Sequence, residues 1–364
     1  MNVLLVFVYV YRIKRFMMFF IVACSLLFSS KICADEIRSA YHHKNNIIYI
    51  IPPNGYQNEK LFDMSDPIYN RDDCMHPFYI LRERLRSYGY DLRTTSCDTK
   101  EKLKNFAGLI VCAIPKDKGI LQKLVCYPRE KLILLLLEPP TVVQHYYDRT
   151  NHTYFGKIYI MFDDWVDNIK YFKLFYPQNL LAISDPIVPF NQKKFCVAIA
   201  GRKKSRHPLS LYQAREQSIH FFEHVDGNNF DLYGSNWPIN EFPSYKGRAG
   251  SKIEVLKKYK FCLCYENMRD TFGYITEKIF DVLISGCVPI YYGAKNIHDY
   301  VDPDCFIARE NFENDEKLYL FLKNMKQAEY EHYIQAARRY LASKKAYYFS
   351  SDYFVNNLIN DFVH

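Results

Sequence analysis

The apolar positions of this chain fall into short unbroken runs separated by amphipathic stretches. Residues 45–51 (NNIIYII), 109–114 (LIVCAI) and 131–137 (KLILLLL) are such runs, and so are 194–200 (KFCVAIA), 230–233 (FDLY), 261–265 (FCLCY) and 288–292 (VPIYY). Runs of this length, apolar on both faces, are the pattern of buried parallel strands. Between them, residues 77–88, 209–223 and 274–285 repeat their apolar positions at the helical period. Residues 90–93 read as a further strand, and 163–185 as a helix followed by a loop. Residues 253–259 read as a short helix leading into the 261–265 run. Residues 312–325 and 329–341, and last 350–362, read as closing helices. Strand and helix alternate, which predicts βαβ units on parallel sheets.

The most informative stretch is 259–307. A strand over 261–265 leads through the polar residues Glu266 and Asn267 to Gly273, and then to a helix whose apolar positions are Ile275, Ile279, Val282 and Leu283. Gly286 is suited to the left-handed turn that ends such a helix. Open α/β sheets bind ligands at this kind of junction, beyond the carboxyl ends of the strands. Thr276, Glu277 and Lys278 open the helix. Glutamate suits the positive end of the helix dipole and lysine opposes it, unless an anion such as a diphosphate lies there. A solvated lysine on an ordinary crossover helix is the plainer alternative.

The run YENMRDTFGYITEKIFDVLISGCVPIYYG resembles the signature of the α1,3-fucosyltransferases, glycosyltransferase family 10, and a weaker resemblance extends over about 45–354. It implies a GT-B type α/β fold, with two facing Rossmann-like domains built on parallel sheets and C-terminal helices packing back. The corresponding division is 45–192 for acceptor binding, 193–345 for GDP-fucose binding and 346–364 as a final helix. The implied reaction is inverting transfer of L-fucose from GDP-fucose to a glycan hydroxyl, O3 of N-acetylglucosamine being the leading candidate. It requires no cofactor and no bound metal. A non-catalytic glycan-binding protein on the same fold, or a transferase using another nucleotide sugar, are the alternatives.

Glu138 ends the run of leucines, where apolar surroundings raise a carboxylate toward a useful base. A loop glutamate that merely stops the strand is the other reading. By the resemblance Glu138 is the catalytic base, although the residues around it, EPP, depart from the G-E-[NS] of some members. The resemblance also makes Arg215 a ligand of the donor diphosphate, a task suited to the guanidinium fork. A surface arginine paired with a neighbouring glutamate is the alternative. Asn267, Tyr274, Thr276, Glu277 and Lys278 complete the implied donor site, with Glu277 also stabilising positive charge on the reacting sugar. Asp302-Pro303-Asp304 has the form of a metal-binding DxD, but it lies beyond the signature, where the family does not use it.

Composition adds little to this picture. The 364 residues, 49% apolar, suffice for two cores. The net charge of +8 comes without a nucleic-acid-binding motif, which leaves an anionic donor or a membrane surface as its partner. The 11 cysteines show neither CxxC pairs nor zinc-ligand spacing. Residues 1–34 carry a basic cluster at Arg12, Lys14 and Arg15 and then an apolar run of about 15 residues, the pattern of a signal peptide or uncleaved signal-anchor. That segment predicts attachment to a membrane or entry into a secretory pathway, Golgi in a eukaryote or cell envelope in a bacterium. Asn151-His152-Thr153 is a glycosylation sequon in such a lumen.

Overall fold

The computed structural model describes residues 46–96, 103–183 and 185–363, so the expected signal or anchor segment lies outside it. Among the described residues no helix is long and apolar enough to cross a membrane.

The strands assemble into two sheets. The first contains β1 (Ile47–Ile51), β2 (Asp91–Thr94), β3 (Phe106–Val111), β4 (Leu132–Leu136), β5 (Lys157–Ile160) and β6 (Tyr171–Lys173), in the order β2-β1-β3-β4-β5-β6. The second contains β7 (Lys194–Ile199), β8 (Phe230–Tyr233), β9 (Tyr259–Tyr265), β10 (Val288–Tyr292) and β11 (Ile307–Ala308), in the order β11-β10-β9-β7-β8. Every pairing is parallel. In β4 all five residues are buried, because helices or loops cover both faces of a parallel sheet. Each sheet has its own hydrophobic core.

Helix α1 (His76–Ser87) covers the first sheet. In the second half, α2 (Tyr212–Asp226), α3 (Lys252–Leu256) and α4 (Glu277–Ile284) connect the strands, followed by α5 (Asp315–Asn324) and α6 (Gln327–Leu341). The final helix α7 (Ser351–Val363) returns to the first lobe. There Phe354 meets Phe78 edge-on at 5.7 Å, and Arg84 reaches Asp352 at 2.7 Å and Asn356 at 2.8 Å. Asp361 takes hydrogen bonds from Lys157 and, at 2.7 Å, from the Tyr159 hydroxyl. Phe354, Val355, Leu358 and Ile359 are all buried in the first core.

One expectation is corrected. Residues 163–183 are not helical: a single 3-10 turn (Asp163–Trp165) leads into β6 and then a loop. The Asp167 carboxylate accepts from the backbone N–H groups of Ile169, Lys170 and Tyr171, and this turns the chain so that 171–173 pair with β5. The sequon asparagine is buried in the short helix Arg149–His152, where its amide donates to the His145 carbonyl at 3.0 Å.

Because α7 closes the first core from the far end of the chain, Phe354→Ala is expected to cost about 3–5 kcal/mol. Leu320→Ala, at a position 46% exposed, is expected to cost less than about 0.5 kcal/mol. Urea denaturation of the two variants checks the contrast.

Candidate active site

Both sheets turn their carboxyl ends toward one cleft. Glu138 follows β4 by two residues. Asn267 follows β9, and Thr276, Glu277 and Lys278 form the turn into α4. A cavity of about 420 Å³ is lined by Glu138 from the first lobe and by Arg215, Asn267, Tyr274, Thr276, Glu277 and Lys278 from the second half. All seven residues singled out from the sequence therefore face the same space.

The turn into α4 is built on Glu266, whose side chain is fully buried. Its carboxylate accepts from the Thr276 N–H at 2.8 Å and the Thr276 hydroxyl at 2.7 Å, and it pairs with Lys278 Nζ at 3.1 Å. Thr276 is thus the N-cap residue of α4 without capping it through its own side chain. Lys278 Nζ also donates to Glu277 Oε1 at 3.4 Å and to Thr276 Oγ1 at 2.8 Å. Burial pushes the lysine down, but Glu266 and Glu277 outweigh it and hold the ammonium charged above its ordinary range. Burial pushes Glu277 up, and Lys278 and Lys252 overcome that, leaving its carboxyl at about 2. Lysine and carboxylate are accordingly both ionised at neutral pH.

Arg215 is buried on α2, not on the surface beside a glutamate. Its Nη2 donates to the carbonyls of Tyr265 at 2.6 Å and Glu266 at 2.8 Å, and to Asn267 Oδ1 at 3.3 Å. The guanidinium is fixed against the carboxyl end of β9 and still lines the cavity. Tyr274 is fully buried and its hydroxyl has no hydrogen-bond partner, although it too lines the cavity. Burial, with Glu266 and Glu138 beyond it, raises that phenol well above its ordinary value, so it remains a donor. A buried donor left unpaired costs about 1–3 kcal/mol unless a ligand takes it.

Glu138 is reachable by solvent at the mouth of the cavity and is crowded on its other sides. This crowding raises its carboxyl above the ordinary 4.5; Lys278 pulls it down and Glu277 pushes it up. Sequence reasoning missed Glu266, and it also missed Arg71, Tyr176, Arg248, Lys252 and Asp281, which line the same cavity. Glu266 stood in the quoted signature, beside Asn267. Arg71 and Tyr176 come from the first lobe and carry no local signal. Counted along the lining, the cations Arg71, Lys203, Arg215, Arg248, Lys252 and Lys278 outnumber the anions Glu138, Glu277 and Asp281, a balance suited to a polyanionic ligand.

The Asp302-Pro303-Asp304 stretch is elsewhere. Asp302 caps the N–H of Asp304, and Asp304 lines a separate groove at α5 and α6 beside His332. All eight described cysteines are free.

Residues 192–357 match the model for the C-terminal part of glycosyltransferase family 10 (fucosyltransferase). Residues 192–357 thus carry the family 10 C-terminal domain. It is 33% identical over 98 residues to an alpha-(1,3)-fucosyltransferase of Helicobacter pylori, covering 26% of this chain and 20% of the relative. With an alpha-(1,4)-fucosyltransferase of Arabidopsis thaliana the identity is 40% over 71 residues, 20% of this chain and 18% of the relative. The aligned stretch therefore spans about a fifth of the length of these curated relatives. Among solved structures, an alpha1,3-fucosyltransferase crystallised with GDP aligns with a TM-score of 0.50 at 15% identity, over 87% of this chain and 90% of that one. A glycosyltransferase from Rickettsia africae aligns with a TM-score of 0.53 at 10% identity, over 88% and 98%. At these identities the likeness is one of fold, and the fold of this chain is GT-B.

Replacing Arg215 by methionine would strip the donor from the Tyr265 and Glu266 carbonyls, at about 1–3 kcal/mol for each group orphaned. A lowered thermal midpoint for Arg215→Met, partly restored in Arg215→Lys, is the expected result.

Proposed function

We propose that this protein transfers L-fucose from GDP-fucose to a hydroxyl of a glycan, with inversion at the fucose carbon, and that O3 of N-acetylglucosamine is the receiving group. One observation carries the reading: a carboxylate with a raised pKa from one lobe and an anchored Lys-Arg pair from the other line a single cavity. Inverting displacement needs a base on the acceptor side and compensation of the leaving charge on the opposite side.

In this mechanism Glu138 accepts the proton of the acceptor hydroxyl as its oxygen bonds to the fucose carbon. The bond from that carbon to the diphosphate breaks, and GDP leaves with the electron pair. Lys278 and Arg215 offset the charge that develops on the diphosphate. Glu277, held ionised, faces the positive charge that builds on the sugar ring, and the orphan Tyr274 hydroxyl and Asn267 orient the donor. The acceptor would lie in the groove of about 1430 Å³ that runs along residues 140–148. Tyr147, whose hydroxyl donates to the Glu138 carbonyl at 2.8 Å, stacks on Phe162 and meets Trp165 edge-on, forming an aromatic wall suited to a sugar face. Residues 1–34 would bring the enzyme to a membrane or a secretory pathway.

The assay is release of GDP from GDP-fucose in the presence of N-acetyllactosamine acceptors, with GDP-mannose as control. Turnover should require GDP-fucose and acceptor together, fall about 10²–10⁴-fold in Glu138→Gln and about 10²–10³-fold in Lys278→Met. Failure of GDP-fucose to bind at all overturns the proposal. Activity should rise with pH through the raised Glu138 carboxyl, so the acid limb lies above the ordinary glutamate value. Because Lys203 lowers that carboxyl, Lys203→Met should move the acid limb to higher pH.

A further inference from the structure

The loop after Asn267 belongs to the second half by sequence and to the first lobe by packing. Met268 and Tyr274 lie in the hydrophobic core of the first sheet, and the Tyr274 ring meets Phe162 edge-on at 5.9 Å. The next residue, Asp163, gathers four hydrogen bonds around this loop. Its Oδ1 accepts from Lys173 Nζ at 2.6 Å, and its Oδ2 accepts from Asn296 Nδ2 at 3.0 Å and the Tyr300 hydroxyl at 2.8 Å. Its N–H donates to the Phe272 carbonyl at 3.0 Å. Lys173 Nζ also donates to the Gly273 carbonyl at 3.1 Å, and the Gly273 N–H donates to Asn296 Oδ1 at 2.8 Å. Gly273 has a φ of +77°, and a Cβ there would lie 2.2 Å from Asp163 Oδ1 and 2.3 Å from Lys173 Nζ. Only glycine lets the backbone come this close.

Asp163, Lys173, Gly273, Asn296 and Tyr300 do not line the cavity, yet they connect its two sides. Asp163 follows β5, and β5 pairs with β4, the strand that leads into Glu138. Gly273 immediately precedes Tyr274 and stands four residues before Glu277. We infer that Asp163 is a positioning residue, setting the distance between the base on the first lobe and the fucose-facing groups on the loop and α4. The inference rests on the fucosyl-transfer reading above. Arg215 and Lys278 are anchored separately, to β9 and to Glu266, so the grip on the diphosphate does not depend on the tie. Turnover does depend on it.

The test measures kcat, KM, GDP affinity by calorimetry and hydrogen exchange over residues 268–276, for wild type and for Asp163→Asn, Gly273→Ala and Tyr300→Phe. Displacement of reacting groups by about 1 Å costs on the order of 100-fold in rate. Asp163→Asn and Gly273→Ala should lose kcat on that scale, exchange faster over 268–276, and keep GDP affinity within about threefold. Tyr300→Phe, which removes one hydroxyl and is the variant least exposed to misfolding, should shift kcat and exchange in the same directions by less. Unchanged kcat in folded Asp163→Asn overturns the inference, and so does GDP affinity that falls in step with kcat. Should wild type transfer no fucose, the functional reading fails by itself. The tie is then judged on exchange, and unchanged protection of 268–276 in Asp163→Asn overturns it.

Discussion

Glu266 is a fully buried carboxylate, and a charge removed from water has to be matched by hydrogen bonds and an opposite charge. Here the match is the Thr276 N–H, the Thr276 hydroxyl and the Lys278 ammonium. One electrostatic requirement thereby joins the end of β9 to the start of α4 and leaves the lysine at the mouth of the helix. The helix N-terminus then supplies its own partial positive charge in the same place. Lys278 does not wait uncompensated for an anion. Two carboxylates hold it, and under the proposed function a donor diphosphate would compete with them for an ammonium already in position.

The two-lobe arrangement divides the labour between the sheets. Parallel strands place all their carboxyl ends on one edge, so two such sheets facing each other deliver loops from both sides to a shared cleft. The second sheet contributes cations held by backbone carbonyls and buried carboxylates. The first contributes a solvent-reachable glutamate whose carboxyl is raised by the protein atoms crowded around it. The lobes are not independent bodies joined by a linker, because α7 and the 268–274 loop both come from the second half of the chain and pack into the first core. Further contacts cross between them: Asp72 of the first lobe accepts from Ser251 Oγ and, at 2.8 Å, from the Lys252 N–H at the start of α3.

What could be read from the sequence was whatever is local in the chain. Runs such as LILLL and FCLCY are apolar because both faces of a parallel strand are covered, and each formed a strand near the expected place. The helix after the signature was legible from its apolar spacing, though it starts at Glu277 and not at Tyr274. Tyr274 carries an apolar ring into the core of the other lobe, a long-range choice that helical periodicity cannot register. The same limit explains 163–183, where the Asp167 turn and pairing with a four-residue strand override the local pattern. It also hid the roles of Glu266, whose partners lie ten and twelve residues away, and of Asp163, whose partners Asn296 and Tyr300 lie more than a hundred residues away.

The proposed function puts the diphosphate of the donor at the N-terminus of α4, between Lys278 and Arg215, with Glu138 facing it across the cleft. A crystal structure of the protein soaked with GDP tests this most directly. Phosphate oxygens are expected within hydrogen-bond distance of Lys278 Nζ and of the Arg215 guanidinium, with the Glu138 carboxylate left free on the opposite wall. GDP bound instead in the aromatic groove along residues 140–148, with Lys278 still paired only to Glu266 and Glu277, would contradict it.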